Sequence, residues 1–150
     1  MPRIPEEKLK KVREIEFAIN KNLFLICAVI TLIAMLMVTM EFFSRGAFPP
    51  SQIGFFYISV LFVYSIHKEM LRWLGEKNIE RQGEHFLYSW IGLTVILYII
   101  NFLTKEYFSH SPEGMPLTLL KEISFVTVEV AAVFLFTRLS KVIKLILEKR

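Results

Sequence analysis

The stretch NLFLICAVITLIAMLMVTMEFF, from Asn22 to Phe43, is uncharged until Glu41. A helix rises 1.5 Å per residue, so crossing about 30 Å of hydrocarbon takes roughly 20 residues. This run is long enough to span a bilayer. Working outward from it, three further runs share its character: SQIGFFYISVLFVYSIHKEML from Ser51 to about Leu71, FLYSWIGLTVILYIINFLT from Phe86 to Thr104, and LTLLKEISFVTVEVAAVFLFTRL from Leu117 to Leu139. Their apolar residues are continuous rather than alternating, which excludes a transmembrane β-barrel. The expected fold is all-α: an integral membrane four-helix transmembrane bundle occupying the whole chain as one unit.

Orientation follows from the basic residues, which favour the cytoplasmic side of a membrane. Six of the 18 Lys and Arg precede the first run, four lie between Lys68 and Arg81, and five follow from Arg138 onward. Arg45 and Lys105 are alone in the other two connections, and Lys121 opens the fourth run. Both termini are therefore expected in the cytoplasm, with localisation in a cytoplasmic or inner membrane. Residues 1–21 read as a cytoplasmic amphipathic helix, with Leu9, Val12, Ile15 and Ile19 on one face, able to lie on the inner leaflet or to extend the first span into solvent. Residues 140–150 read as a basic cytoplasmic tail. A cleavable signal peptide is not expected, because a charge-rich segment of about twenty residues precedes a run too long for that role. All six prolines fall outside the runs, with Ser51 placed as an N-cap. Trp73, Tyr88 and Trp90 are expected to anchor at the inner interface, and Phe42, Phe43, Phe48, Tyr57, Tyr107 and Phe108 at the outer one. Lys68 is expected to snorkel toward the headgroups.

Composition narrows the chemistry. The chain is 54% hydrophobic and 14% aromatic, and its 14 acids are all Glu, so no mechanism built on an aspartate is open to it. Its single cysteine, Cys27, lies in an apolar run where thiolate formation is suppressed. No phosphate-binding glycine loop and no nucleophile-elbow pattern occurs. His67 and His85 with Glu69 or Glu84 could in principle ligate a metal, and Met35, Met37 and Met40 could line a copper path, but neither set has ligand spacing. No metal, no cofactor and no enzymatic activity are expected. The net charge of +4 comes from residues flanking the spans, so nucleic acid is not an expected partner. The expected partners are the lipid bilayer and, through helix packing, a second copy or another membrane protein.

The polar residues inside the spans are the candidate functional positions. Glu129 lies well within the fourth run, and an ionisable group there is costly unless it meets a partner or a cavity. Thr94, Tyr98, Asn101 and Lys105 share one face of the third run; Thr118, Glu122, Phe125 and Glu129 share one face of the fourth. The antiparallel register that pairs Glu129 with Thr94 also pairs Phe125 with Tyr98, Glu122 with Asn101 and Thr118 with Lys105, and brings Lys105 within reach of Glu122. These residues form the expected intramembrane polar cluster. Ser124, Thr127 and Ala131 lie opposite Glu129 on the wheel as a small-residue packing face. Cys27, Thr31, Ala34, Val38 and Glu41 align similarly on the first run, and Glu41 is expected to pair with Arg45. Two functions remain open. One is a non-enzymatic multi-pass protein acting through helix packing, as an accessory or assembly subunit or a small homo-oligomer. The other is a small proton- or cation-coupled transporter or channel using Glu129, with Thr94, Tyr98 and Asn101 lining its path.

Overall fold

The computed structural model describes residues 6–48, 53–73 and 83–148. Four α-helices account for most of them: α1 (Glu6–Ser44), α2 (Ile53–Trp73), α3 (Gly83–Leu103) and α4 (Leu119–Glu148), with a short 3-10 turn at Tyr107–Ser109. There is no strand among the described residues; His110 and Pro116 form an isolated antiparallel bridge. Two stretches are long and apolar enough to cross a membrane, Glu14–Ser44 of α1 and Gly83–Leu103 of α3. α2 and α4 are interrupted by charge, Lys68, Glu69 and Arg72 on the first and Lys121, Glu122, Glu129 and Arg138 on the second.

α1 runs unbroken for 39 residues. The expected surface helix over residues 1–21 is therefore not a separate element from Glu6 onward. No Pro or Gly interrupts residues 6–44, so nothing turns the chain at the boundary. The side chain of Leu9 lies outside the described residues, while Val12, Ile15 and Ile19 are exposed. α4 likewise continues for 30 residues through the expected tail. The proposed cap Ser51 lies outside the described residues.

The stops are legible in backbone terms. α1 ends where Arg45 (φ 55°) and Gly46 (φ 85°) enter the left-handed region, the usual way a helix is closed. α3 ends with Lys105 (φ 54°) and Glu106 (φ 63°) in that region, and the Glu106 amide donates back to the Asn101 carbonyl at 2.8 Å. Left-handed backbone at two consecutive non-glycine residues costs about 1–2 kcal/mol each.

α1 lies against α2, α2 against α4 and α4 against α3, while α1 meets α3 and α4 more lightly. α2 and α3 are joined through rings: Tyr57 with Trp90, centroids 5.4 Å apart, and Tyr64 with Phe86 at 6.2 Å. Trp90 is only 1% exposed. It fills the bundle core rather than anchoring at an interface, because a large ring is needed to bridge two helices that do not otherwise touch closely. Tyr57 and Phe42 are also fully buried rather than at the outer rim. The aligned row Cys27, Thr31, Ala34, Val38 and Glu41 is buried throughout. At Gly54 a Cβ would stand 3.0 Å from the Val126 side chain, so the glycine permits α2 and α4 to approach.

The exterior is rich in apolar side chains, as the core is. Exposed large apolar residues occur on every helix, such as Leu32, Phe62, Phe102 and Leu135. Buried polar residues include Asn20, Thr31, Ser65, Lys68, Glu69 and Asn101.

Candidate functional site

The α3–α4 seam is the most regular polar contact in the molecule. Thr94 and Thr127 hydroxyls lie 2.7 Å apart, and the Tyr98 hydroxyl lies 2.9 Å from that of Ser124. Thr127 already donates to the Ile123 carbonyl at 2.9 Å and Ser124 to that of Leu120 at 2.8 Å. Each hydroxyl has one proton, so Thr94 is the donor to Thr127, while the Tyr98 hydroxyl, paired with Ser124, also lies 3.5 Å from the Leu120 carbonyl. Such interhelical bonds contribute about 0.6 kcal/mol each in a membrane, and up to about 1.7.

This geometry corrects the expected register. Thr94 faces Thr127, not Glu129, and Tyr98 faces Ser124, not Phe125. Positions 127 and 129 are about 200° apart on a helical wheel, so the small-residue face of α4 meets α3 and the Glu129 face turns outward. Glu129 and Phe125 are exposed. Ala131 is half-buried against the core. The seam excludes Glu129 because the short Ser and Thr side chains let the backbones approach closely, while a glutamate in the same place would hold them apart. Glu129 forms no hydrogen bond or ion pair with the described residues. Its level along the bundle follows from its neighbour: Thr127 faces Thr94, near the midpoint of α3.

The other members of the expected cluster disperse. Asn101 is buried, and its side-chain oxygen has no partner among the described residues. Lys105 lies past the end of α3 and is exposed. Glu122 accepts a hydrogen bond from Thr118 at 2.6 Å, and no ion pair joins it to Lys105. Arg45 turns away from the expected pairing with Glu41. It reaches over the Tyr107 ring, 3.8 Å from its centroid, and donates to the carbonyls of His110 at 2.9 Å and Ser111 at 3.0 Å. The planar guanidinium can serve both carbonyls at once, which ties the end of α1 to the loop before α4. Beside it, a cavity of about 150 Å³ is lined by Glu41, Gly46, Phe48, Leu117, Thr118 and Leu119. In the same loop, a hydrogen bond from Ser111 holds the Glu113 carboxyl below its ordinary value.

A second polar group lies where the C-terminal part of α2 meets α1 and α4; the sequence suggests its Glu69–Arg72 pair, but as a surface one. Glu16 of α1 meets His67 of α2 at 3.0 Å. Glu69 is only 5% exposed and pairs with Arg72, whose guanidinium also points at the Thr137 carbonyl of α4. Arg138 pairs with Glu84 across α3 and α4. Trp73 is exposed and donates to Ser140 at 3.0 Å. Tyr88 is exposed on α3. Lys68 turns inward, buried, with its ammonium 5.6 Å from the Tyr64 ring, instead of snorkelling outward. Its neighbours explain the difference: the ammonium lies beside the Tyr64 ring and 4.0 Å from where a Cβ would stand at Gly83, the first residue of α3. The usable signal was the row Tyr57, Leu61, Tyr64, Lys68 on α2, spaced four, three and four, which is buried throughout.

Among the described residues no cluster of three or more His, Cys or acidic side chains could hold a metal ion. No known protein family, curated protein or solved structure matches the chain.

Proposed function

We propose that this protein is a four-span integral membrane protein with both termini in the cytoplasm, acting through helix packing as a structural or assembly subunit rather than as an enzyme. The observation that carries this reading is the apolar exterior: large apolar side chains such as Leu32, Phe62, Phe102 and Leu135 are exposed on all four helices, around a mainly apolar core that also holds Lys68, Glu69, Asn20 and Asn101. In water that surface would be a severe aggregation liability; in lipid it is the expected one, with polar groups facing the bundle interior. The charges that interrupt α2 lie in its last two turns, where they are knitted to α1 and α4, so its apolar part still reaches the bilayer. The distribution of basic residues supports the cytoplasmic placement of both ends.

The conduction reading loses its route within a single bundle. Glu129 points away from Thr94, Tyr98 and Asn101, so those residues and the carboxyl do not line one path. Reconstituted vesicles under an imposed pH gradient test this. Native protein and Glu129→Gln are both expected to leak no faster than empty vesicles. A flux that the native chain supports and Glu129→Gln abolishes would install the transporter or channel reading instead.

A further inference from the structure

The outward face of α4 has a repeat that the bundle does not use. Glu122, Phe125, Glu129, Ala132, Phe136 and Leu139 follow one another at spacings of three, four, three, four and three, and all six are exposed. This is the seven-residue repeat of a left-handed helix pair, in which a stripe recurring every 3.5 residues stays facing its partner along the whole helix. It places a carboxyl at mid-depth, next to a small residue, Ala132, that lets a second helix come close.

Resting on the four-span reading, we propose that this face is the contact with a second copy of the chain, two α4 helices running parallel about a twofold axis along the membrane normal, with the two Glu129 carboxyls meeting on it. Two features select a second copy as the occupant. A twofold interface brings the same patch of both subunits together, each residue near its own mate when it lies on the axis. An uncharged carboxyl has one O–H donor and a carbonyl acceptor, so it is its own complement: two can satisfy each other completely without any other chain. A single polar residue in an otherwise apolar heptad stripe also fixes the register of a helix pair, which is the role assigned here to Glu129. Glu122 lies toward the outer end, already accepting from Thr118 and flanked by Lys121, so it can stay hydrated at the rim of the contact.

The test uses the full chain in membranes with Cys27→Ser as background and a single new cysteine at Ala132 or, as control, at Leu32 on the exposed side of α1. The Ala132→Cys chain is expected to form an intermolecular disulfide under mild oxidation, and the Leu32→Cys chain at least fivefold less. Adding Glu129→Leu is expected to lower the Ala132→Cys cross-link severalfold, and Glu129→Gln, which also donates and accepts, to preserve most of it. Because Glu129 is exposed in the single bundle, neither substitution disturbs folding. A thiol at position 132 that is shielded from water-soluble maleimide yet never cross-links would overturn the proposal and leave the four-span reading intact. Ready labelling of the Ala132→Cys chain by that maleimide in intact membranes would overturn both. Equal cross-linking at positions 132 and 32, or a cross-link indifferent to Glu129→Leu, would also refute it.

Discussion

The two faces of α4 are built from similar materials and meet opposite fates. One has Ser124, Thr127 and Ala131, and its hydroxyls are bonded twice over, to their own backbone and to α3. The other has Glu122, Phe125 and Glu129 and meets nothing of the described chain at mid-depth. The difference is one of reach. A serine or threonine keeps its polar atom close to the helix, where it can be satisfied while two backbones pack closely. A glutamate holds its polar atoms several ångströms out, where only a partner approaching from outside can satisfy them. A polar residue in a span is thus a signal of contact, and its length decides whether that contact is with its own bundle or beyond it.

Breaking this comparison most forcefully takes a cavity. Ile123, 1% exposed on the inner side of α4, should lose about 2–5 kcal/mol on truncation to Ala. The same truncation at exposed Val128 should stay within about 0.5 kcal/mol for the solitary bundle. Unfolding midpoints in detergent would measure both, and equal effects would mean the two faces are not distinct.

The seam itself can be removed atom by atom. Tyr98→Phe with Thr127→Val deletes both interhelical hydrogen bonds, with an expected loss on the order of 1–3 kcal/mol. A double-mutant cycle between Thr94→Val and Thr127→Val should show coupling, whereas one between Thr94→Val and Glu129→Gln should show none. Coupling of Thr94 to Glu129 would restore the register that the sequence suggested.

Lys105 sharpens the same point just past the end of α3. Because it stands at a left-handed position without an ion pair to Glu122, Lys105→Gly should raise stability by roughly 1 kcal/mol. Destabilisation would indicate that Lys105 contributes a contact to α4 after all. Glu129→Gln should have the smallest effect, below about 0.5 kcal/mol on the monomeric bundle, read from the same unfolding curves at high dilution in detergent.

Much of the fold was legible in the chain, and the misreadings share one cause. Helix positions follow from the continuous apolar runs, although α1 and α4 extend well beyond their apolar parts because no residue stops them, and the left-handed stops at Arg45–Gly46 and Lys105–Glu106 appear only in the backbone. The buried row from Cys27 to Glu41 was visible in its spacing. The side of α4 that meets α3 was not, since two polar rows on opposite sides of a helix have the same period and differ only in how closely they let a neighbour approach. Trp90 and Tyr57 looked like interfacial aromatics because depth along a helix can be counted, whereas rotation toward the core depends on the partner helix. Lys68 and Glu69 are buried among neighbours that include residues distant in sequence, Gly83 of α3 beside the first and, through Arg72, Thr137 of α4 near the second, and local pattern does not reveal them.

The central claim is that the chain crosses the membrane four times with both ends on one side. Single cysteines replacing Glu7, Glu113 and Lys141 in a Cys27→Ser background, in sealed right-side-out vesicles, test it with a membrane-impermeant maleimide. The account predicts that position 113 labels at once, while positions 7 and 141 label only after the vesicles are opened. Immediate labelling of position 7 or 141, or protection of 113 until opening, would contradict it.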